Sequence, residues 1–234
     1  SRTVWHGFSL HWYAELFQNE RIMNALYTTL LVSVLAAVIA TIAGTAAAIG
    51  FYSMKRRPRT LLTSVSNITL TNAEIITGVS LMLLFVFLGK FLPFKLGFGT
   101  LLIAHISFNI PYVILSVMPK LRQMDKNLID AAQDLGCTWM QAFWKVVVPE
   151  IKPGIINGML IAFTMSVDDF VISYFTAGAK TSTLAMTIYG MAKRRISPKM
   201  NAVSTLLFVT VLTLLIIVNV RQARQEKAMS RQKK

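Results

Sequence analysis

Two adjacent carboxylates, Asp168 and Asp169, stand inside the apolar stretch from Ile155 to Ala177, where every other residue is uncharged. A charged side chain at the centre of a bilayer costs roughly 2.5 to 3.5 kcal/mol on insertion scales, so such residues line a ligand path or pair with a partner. Ionised carboxylates only accept hydrogen bonds, and with no Lys or Arg in the stretch to neutralise them they suit a cationic amine. At 100° per residue Gly158, Ala162, Ser166, Asp169, Ser173 and Thr176 fall on one stripe of a helix. Asp169 then shares with Ser166 and Ser173 a small polar face that can line a cavity. Asp168 points about 100° away, near Thr164, toward a neighbouring helix or a sister subunit. The structural alternative is a helix–helix hydrogen bond or ion pair within the bundle. Phe170, Tyr174, Phe175, Tyr112 and Tyr189 offer ring faces that attract ammonium groups, although aromatics at helical spacing also serve as packing and interface anchors. Glu74 is a third acidic candidate, at a place where a helix N-terminus accommodates a carboxylate in any case. Two carboxylates can also share a proton in a hydrolase, but adjacent residues on one helix diverge and cannot grip one water together.

The elements that must hold these residues are membrane helices. With 54% hydrophobic residues, 15% charged ones and a mean hydropathy of +0.56, the 234-residue chain is too apolar for an ordinary soluble domain. A crossing helix needs about 20 apolar residues. Five stretches qualify: Leu26 to Gly50, Ile75 to Phe91, Thr100 to Met118, Ile155 to Ala177 and Val203 to Val220. The first is rich in small residues of the kind that let helices approach closely. The third is interrupted by Asn109-Ile110-Pro111, where proline removes a donor.

Basic clusters set the orientation. Lys55 to Arg59, Lys120 to Lys152 and the segment after Val220 are all cytoplasmic by the positive-inside rule. Residues 1–23 are then external, with nothing apolar ahead to carry them across, so a leading sixth helix is expected to be missing. The domain reading is an external segment 1–23, a transmembrane domain 24–221 with a cytoplasmic loop 120–153, and a basic cytoplasmic tail 222–234. Lys180 to Lys199 disagrees with this topology, which Leu184 to Lys193 could reconcile by lying as a short amphipathic helix against the bundle.

Several functions are disfavoured. The net charge of +14 lies in short clusters beside apolar segments, without the aromatic-interleaved patch of a nucleic-acid binder. Cys137 is the single cysteine and reads as a packing residue. His6, His11 and His105 lack metal-site spacing. There is no G-x-x-x-x-G-K-[ST] loop, so ATP is not bound by that mechanism and energy must come from a partner.

The cytoplasmic loop has an internal order. Asp130 stands where an acidic residue favours a helix start, Ala131 and Ala132 are strong helix formers, and Gly136 fits a helix end that needs positive φ. Thr138 can cap a second helix through Val148, which Pro149 is expected to stop. The spacing acidic-Ala-Ala, three residues, Gly, nine residues, then aliphatic, any, aliphatic, Pro places Asp130, Ala131, Ala132, Gly136, Val146, Val148 and Pro149 in a pattern that resembles the EAA loop of permease subunits of bacterial ABC importers. Asp130 stands for the usual Glu, and valines for Ile and Leu. Trp5 to Phe8, Trp12-Tyr13, Asn24 to Thr29, Ser166 to Asp169, Ser197-Pro198 and Asn201-Ala202 look most like the second permease, the PotC type, of spermidine/putrescine importers. Where that family commonly has Pro-Asp before span two, this chain has Ala73-Glu74.

The resemblance implies an all-α, polytopic bundle of the type I (MetI-like) importer permease in the bacterial cytoplasmic membrane. It implies a non-catalytic subunit that imports polyamines by alternating access and has no cofactor of its own, ATP and Mg being held by a partner ATPase dimer. The expected partners are that dimer, a PotB-type sister permease, an extracytoplasmic polyamine-binding protein and membrane lipid. Asp130, Ala131, Ala132, Gly136 and Pro149 would couple to the ATPase, while Asp169, Asp168, Ser166, Ser173, Tyr174 and Glu74 would line the pathway. Import of another solute, such as ferric ion, thiamine or a sugar, stays open. A secondary transporter would predict inverted repeats and discontinuous helices, neither of which is visible in the sequence.

Overall fold

The computed structural model describes residues 18–91, 95–125, 127–194 and, of the last span, 204–206, 208–210, 212, 213, 216 and 220. The Trp-rich segment before residue 18, the Ser197-Pro198 and Asn201-Ala202 motifs and the basic tail lie outside the described residues. The helices are α1 (Glu20–Ser53), α2 (Arg56–Thr71), α3 (Glu74–Leu88), α4 (Phe98–Gln123), α5 (Asn127–Asp134), α6 (Trp139–Ala142), α7 (Val148–Asp168), α8 (Val171–Thr176) and α9 (Leu184–Arg194), with a π-helical turn at Phe143–Val147 between α6 and α7. Among the described residues α1, α4 and the continuous stretch Trp139–Asp168 are long and apolar enough to cross a membrane, and α3 is a shorter apolar helix. The described residues of the fifth span are helical.

The chain divides into two compact units, residues 1–29 with 181–234, and residues 30–180. In the first, Leu184 N–H, at the start of α9, donates to Thr29 Oγ1 of α1 at 2.8 Å. The short helix expected over Leu184 to Lys193 is therefore present and anchored by an orphan N-terminal donor.

The second unit is organised around α4. Its buried Val113, Ile114, Val117, Met118 and Leu121 pack with Ile151 and Ala162 of α7 and with Ala37 and Ala48 of α1. Small residues permit the approach. A Cβ on Gly154 would lie 2.8 Å from Ser116 O, one on Gly158 3.1 Å from Val113 Cα, and one on Gly44 2.7 Å from Val113 Cβ. Without a hydrophobic drive between helices in lipid, such backbone proximity supplies the dispersion contacts that hold them. The α3 helix packs on α8, with Gly78 under the Phe175 ring at 3.0 Å from its absent Cβ.

Four expectations need correction. The fourth span does not run as one helix from Ile155 to Ala177: α7 ends at Asp168 and α8 begins at Val171. A discontinuous helix is thus present although the apolar pattern continues through it. The third span is not interrupted at Pro111, since α4 continues through Pro111 and Pro119; proline is tolerated in membrane helices when neighbours take up the freed carbonyl. Pro149 does not stop a helix but sits in the first turn of α7. The preceding π turn widens the backbone where the proline ring would otherwise meet the carbonyl of Lys145 and leave it without its donor. Finally, Arg56–Thr71, read as a basic loop and a mixed approach to span two, is the helix α2, with Arg59, Leu62, Thr63, Ser66 and Leu70 as its less exposed face.

Candidate functional site

The break between α7 and α8 is built by Asp169. Its backbone turns extended (φ −65°, ψ 123°), which ends α7, and its carboxylate turns onto the first turn of α8. Oδ1 accepts from Ile172 N–H at 3.2 Å; Oδ2 accepts from Ser173 N–H at 2.7 Å and from the Ser173 hydroxyl at 2.9 Å. Orphan donors at a helix start are thus satisfied by an acidic side chain, as in an N-cap.

The α4 helix closes the network from the other side. His105 Nε2 lies 3.1 Å from Ser173 Oγ and 3.4 Å from Asp169 Oδ2, all three residues being buried. Because the Ser173 hydroxyl already donates to Asp169, the network assigns the hydrogen to Nε2, which donates toward both oxygens. One turn along α4, Asn109 Nδ2 donates to Ser166 Oγ at 2.7 Å, and near the start of α4 the Thr100 hydroxyl donates to Thr176 O at 2.7 Å. The row Ser166, Asp169, Ser173 and Thr176 is buried, as one face of a helix would be, yet it is carried by two helices. His105 Nδ1 and Asn109 Oδ1 are buried without a hydrogen-bond partner among the described residues.

Asp169 is 8% exposed and fully engaged within the chain. Asp168, the last residue of α7, is exposed, and its carboxylate makes no hydrogen bond or ion pair among the described residues. Beside it in sequence the rings of Phe170 and Tyr174 lie 5.5 Å apart and tilted, with Phe175 edge-on to Tyr174 at 5.6 Å. Tyr174 is 57% exposed. Glu74 is exposed at the first residue of α3. Asp168 and Tyr174 are therefore exposed on either side of the break, and Ser166, Asp169 and Ser173 belong to a buried seam. His105 and Asn109 complete that seam. Their signal in the sequence was a His and an Asn four residues apart within an apolar span, a spacing that puts both on one helix face.

The 120–153 loop forms a helix, a glycine turn and a second helix. Asp130 lies in the first turn of α5, exposed like Ala131, whereas Ala132 is buried. Gly136 takes φ +84°, with Gly136 N–H donating to Gln133 O at 2.8 Å and Cys137 N–H to Ala132 O at 3.0 Å. This is the Schellman end, which needs a residue without a Cβ penalty in the left-handed region. Thr138 and Gln141 then cap each other reciprocally, Gln141 N–H donating to Thr138 Oγ1 at 3.4 Å and Thr138 N–H to Gln141 Oε1 at 3.0 Å. Around the loop Leu128, Leu135, Trp139, Met140 and Trp144 are exposed, an apolar rim on a polar element.

Comparison with known proteins agrees with this architecture. Residues 40–231 match the family model described as binding-protein-dependent transport system inner membrane component. The spermidine/putrescine transport system permease protein PotC of Haemophilus influenzae is 33% identical over 213 residues, covering 91% of this chain and 81% of that protein. The putrescine transport system permease protein PotI of Escherichia coli is 36% identical over 208 residues, covering 88% and 74%. The fold is shared with a chain of the MetNI methionine ABC transporter in inward-facing conformations, at TM-score 0.70 and 19% identity over 93% of this chain and 99% of that one. It is shared also with a bacterial ABC transporter involved in import of the polysaccharide alginate, at TM-score 0.74 and 16% identity over 95% and 85%. The helical bundle, the helix–glycine–helix loop and these relatives place the chain in one family: it is an inner-membrane component of a binding-protein-dependent transport system, a multi-pass permease of the cytoplasmic membrane.

Proposed function

We propose that this permease imports polyamines of the spermidine/putrescine class and that Asp168 presents the carboxylate that meets the amine. The observation that carries the reading is the exposed Asp168 at the end of α7, unpaired among the described residues and followed by the exposed ring of Tyr174. A desolvated ammonium group gains from an acceptor-only carboxylate and from an adjacent ring face, and a path bearing both favours cations over anions and neutral sugars. The relatives named as spermidine/putrescine and putrescine permeases support the same substrate class. Asp169, Ser166 and Ser173 support the path by holding the break in shape, and Glu74 is a further acidic contact at the start of α3.

Alternating access is driven by a separate ATPase dimer, which holds ATP and Mg and docks on the loop through Asp130, Ala131, Ala132, Gly136 and the helix that carries Pro149. A PotB-type sister permease completes the path against the Asp168 face, and an extracytoplasmic binding protein delivers the substrate. The test is substrate-stimulated ATP hydrolysis and uptake by the reconstituted complex, with a panel of spermidine, putrescine, thiamine, ferric ion and maltose, each with a matching binding protein. Asp168→Asn should abolish polyamine stimulation. Wild-type stimulation by that variant removes Asp168 from the path, and stimulation by another solute alone overturns the polyamine assignment.

A further inference from the structure

We propose that His105 is a positioning residue that sets where Asp168 presents its carboxylate, by fastening the α7–α8 joint to α4. The inference rests on the reading of Asp168 as the amine contact. The two halves of the broken span pack differently: α7 lies along α4 through Gly154 and Gly158, whereas α8 lies mainly against α3 at Gly78 and touches α4 through Ile172 and the Thr100–Thr176 bond. Asp169 and Phe170 lie outside both helices, so the regular helix of α7 does not run on into α8. What spans the joint is a side-chain bridge. Asp169, the residue next to Asp168, reaches forward to the N–H groups of Ile172 and Ser173, and His105 Nε2 reaches both Asp169 Oδ2 and Ser173 Oγ from the long helix α4.

His105 is 1% exposed, within the continuous helix α4. Its ring therefore gives Asp169 a fixed reference, and the position of Asp169 dictates the direction of the Cα–Cβ bond one residue earlier. A displacement of reacting or recognising groups by about 1 Å is enough to cost a large factor in a site that works by position. His105 touches no substrate in this scheme; it acts through Asp169.

The reach of the ring gives a sharp test. A Gln amide nitrogen extends about as far from Cα as Nε2 does, whereas an Asn amide stops near the reach of Nδ1. In a Cys137→Ser background, a cysteine introduced by Asp168→Cys becomes the chain's lone thiol. Its rate of modification by a small cationic methanethiosulfonate reagent, in the complete reconstituted complex, reports the joint geometry directly. His105→Asn and His105→Leu should change that rate roughly tenfold, and His105→Gln should restore it. With Asp168 intact, the same Asn variant should raise the spermidine concentration for half-maximal ATPase stimulation roughly tenfold at an unchanged yield of assembled complex, while Gln again recovers it. Equal behaviour of Gln and Asn, or equal modification rates in all three variants, overturns the proposal. If Asp168→Asn leaves stimulation intact, the substrate reading fails alone, and the modification rates still decide what His105 does.

Discussion

Asn109 Nδ2 donates to Ser166 Oγ across 2.7 Å, fastening α4 to the last turn of α7 just before that helix ends. Both residues are buried, so neither group has water to turn to when its partner is removed. Ser166→Ala should destabilise the assembled complex by about 0.6 to 1.7 kcal/mol, the range of interhelical hydrogen bonds in membranes. Thermal melting in detergent measures it, and an unchanged melting curve would show that the bond contributes nothing.

Asp169→Asn replaces one acceptor oxygen with a donor facing Ile172 N–H or the Ser173 pair. Leaving such buried donors unsatisfied costs about 1 to 3 kcal/mol each, so the variant should melt earlier and assemble poorly. A wild-type melting curve together with lost polyamine stimulation would instead make Asp169 a direct ligand.

Gly154→Ala and Gly50→Ala differ by one methyl in opposite surroundings. The first meets Ser116 O at 2.8 Å and Lys120 Cγ at 2.9 Å, whereas the second meets nothing within 4 Å. Overpacking should cost Gly154→Ala about 1 to 3 kcal/mol, with Gly50→Ala unaffected. Comparable assembly yields for the two variants would refute the close contact of α4 and α7.

Gly136 has open space around it, so its constraint is backbone alone. Gly136→Asn, which tolerates the left-handed region, should retain ATP-dependent uptake, and Gly136→Pro, locked near φ −65°, should abolish it while the chain still inserts. Failure of Gly136→Pro to reach the membrane would assign the turn to insertion rather than to coupling.

Local features were legible in the sequence because their causes are local. Gly136 and Thr138 announce a helix end and a helix start within a few residues, and the structure shows both motifs closed by neighbours. The break at Asp169 is masked by composition. Apolar periodicity runs through Phe170 to Ala177 as if the helix continued; the turned carboxylate accepts from Ile172 and Ser173 close by, and the other side of the network, His105, stands 64 positions away on α4 (169 − 105). The contrast in exposure between the two carboxylates follows from the same break: a stripe drawn on one helix put Asp169 on a small polar face that could line a cavity, and the structure buries it while exposing Asp168. Pro149 misled for another reason, since the π turn that accommodates it leaves no mark in composition.

That turn makes one rod of what reads as two elements. From the Thr138 cap to Asp168, Trp139–Asp168 is 30 residues without a gap, roughly 45 Å at 1.5 Å per residue. With its contact on α4 at Gly154 and Gly158 part-way along, such a rod is built as a lever, its exposed tryptophan end and its Asp168 tip on opposite sides of the contact.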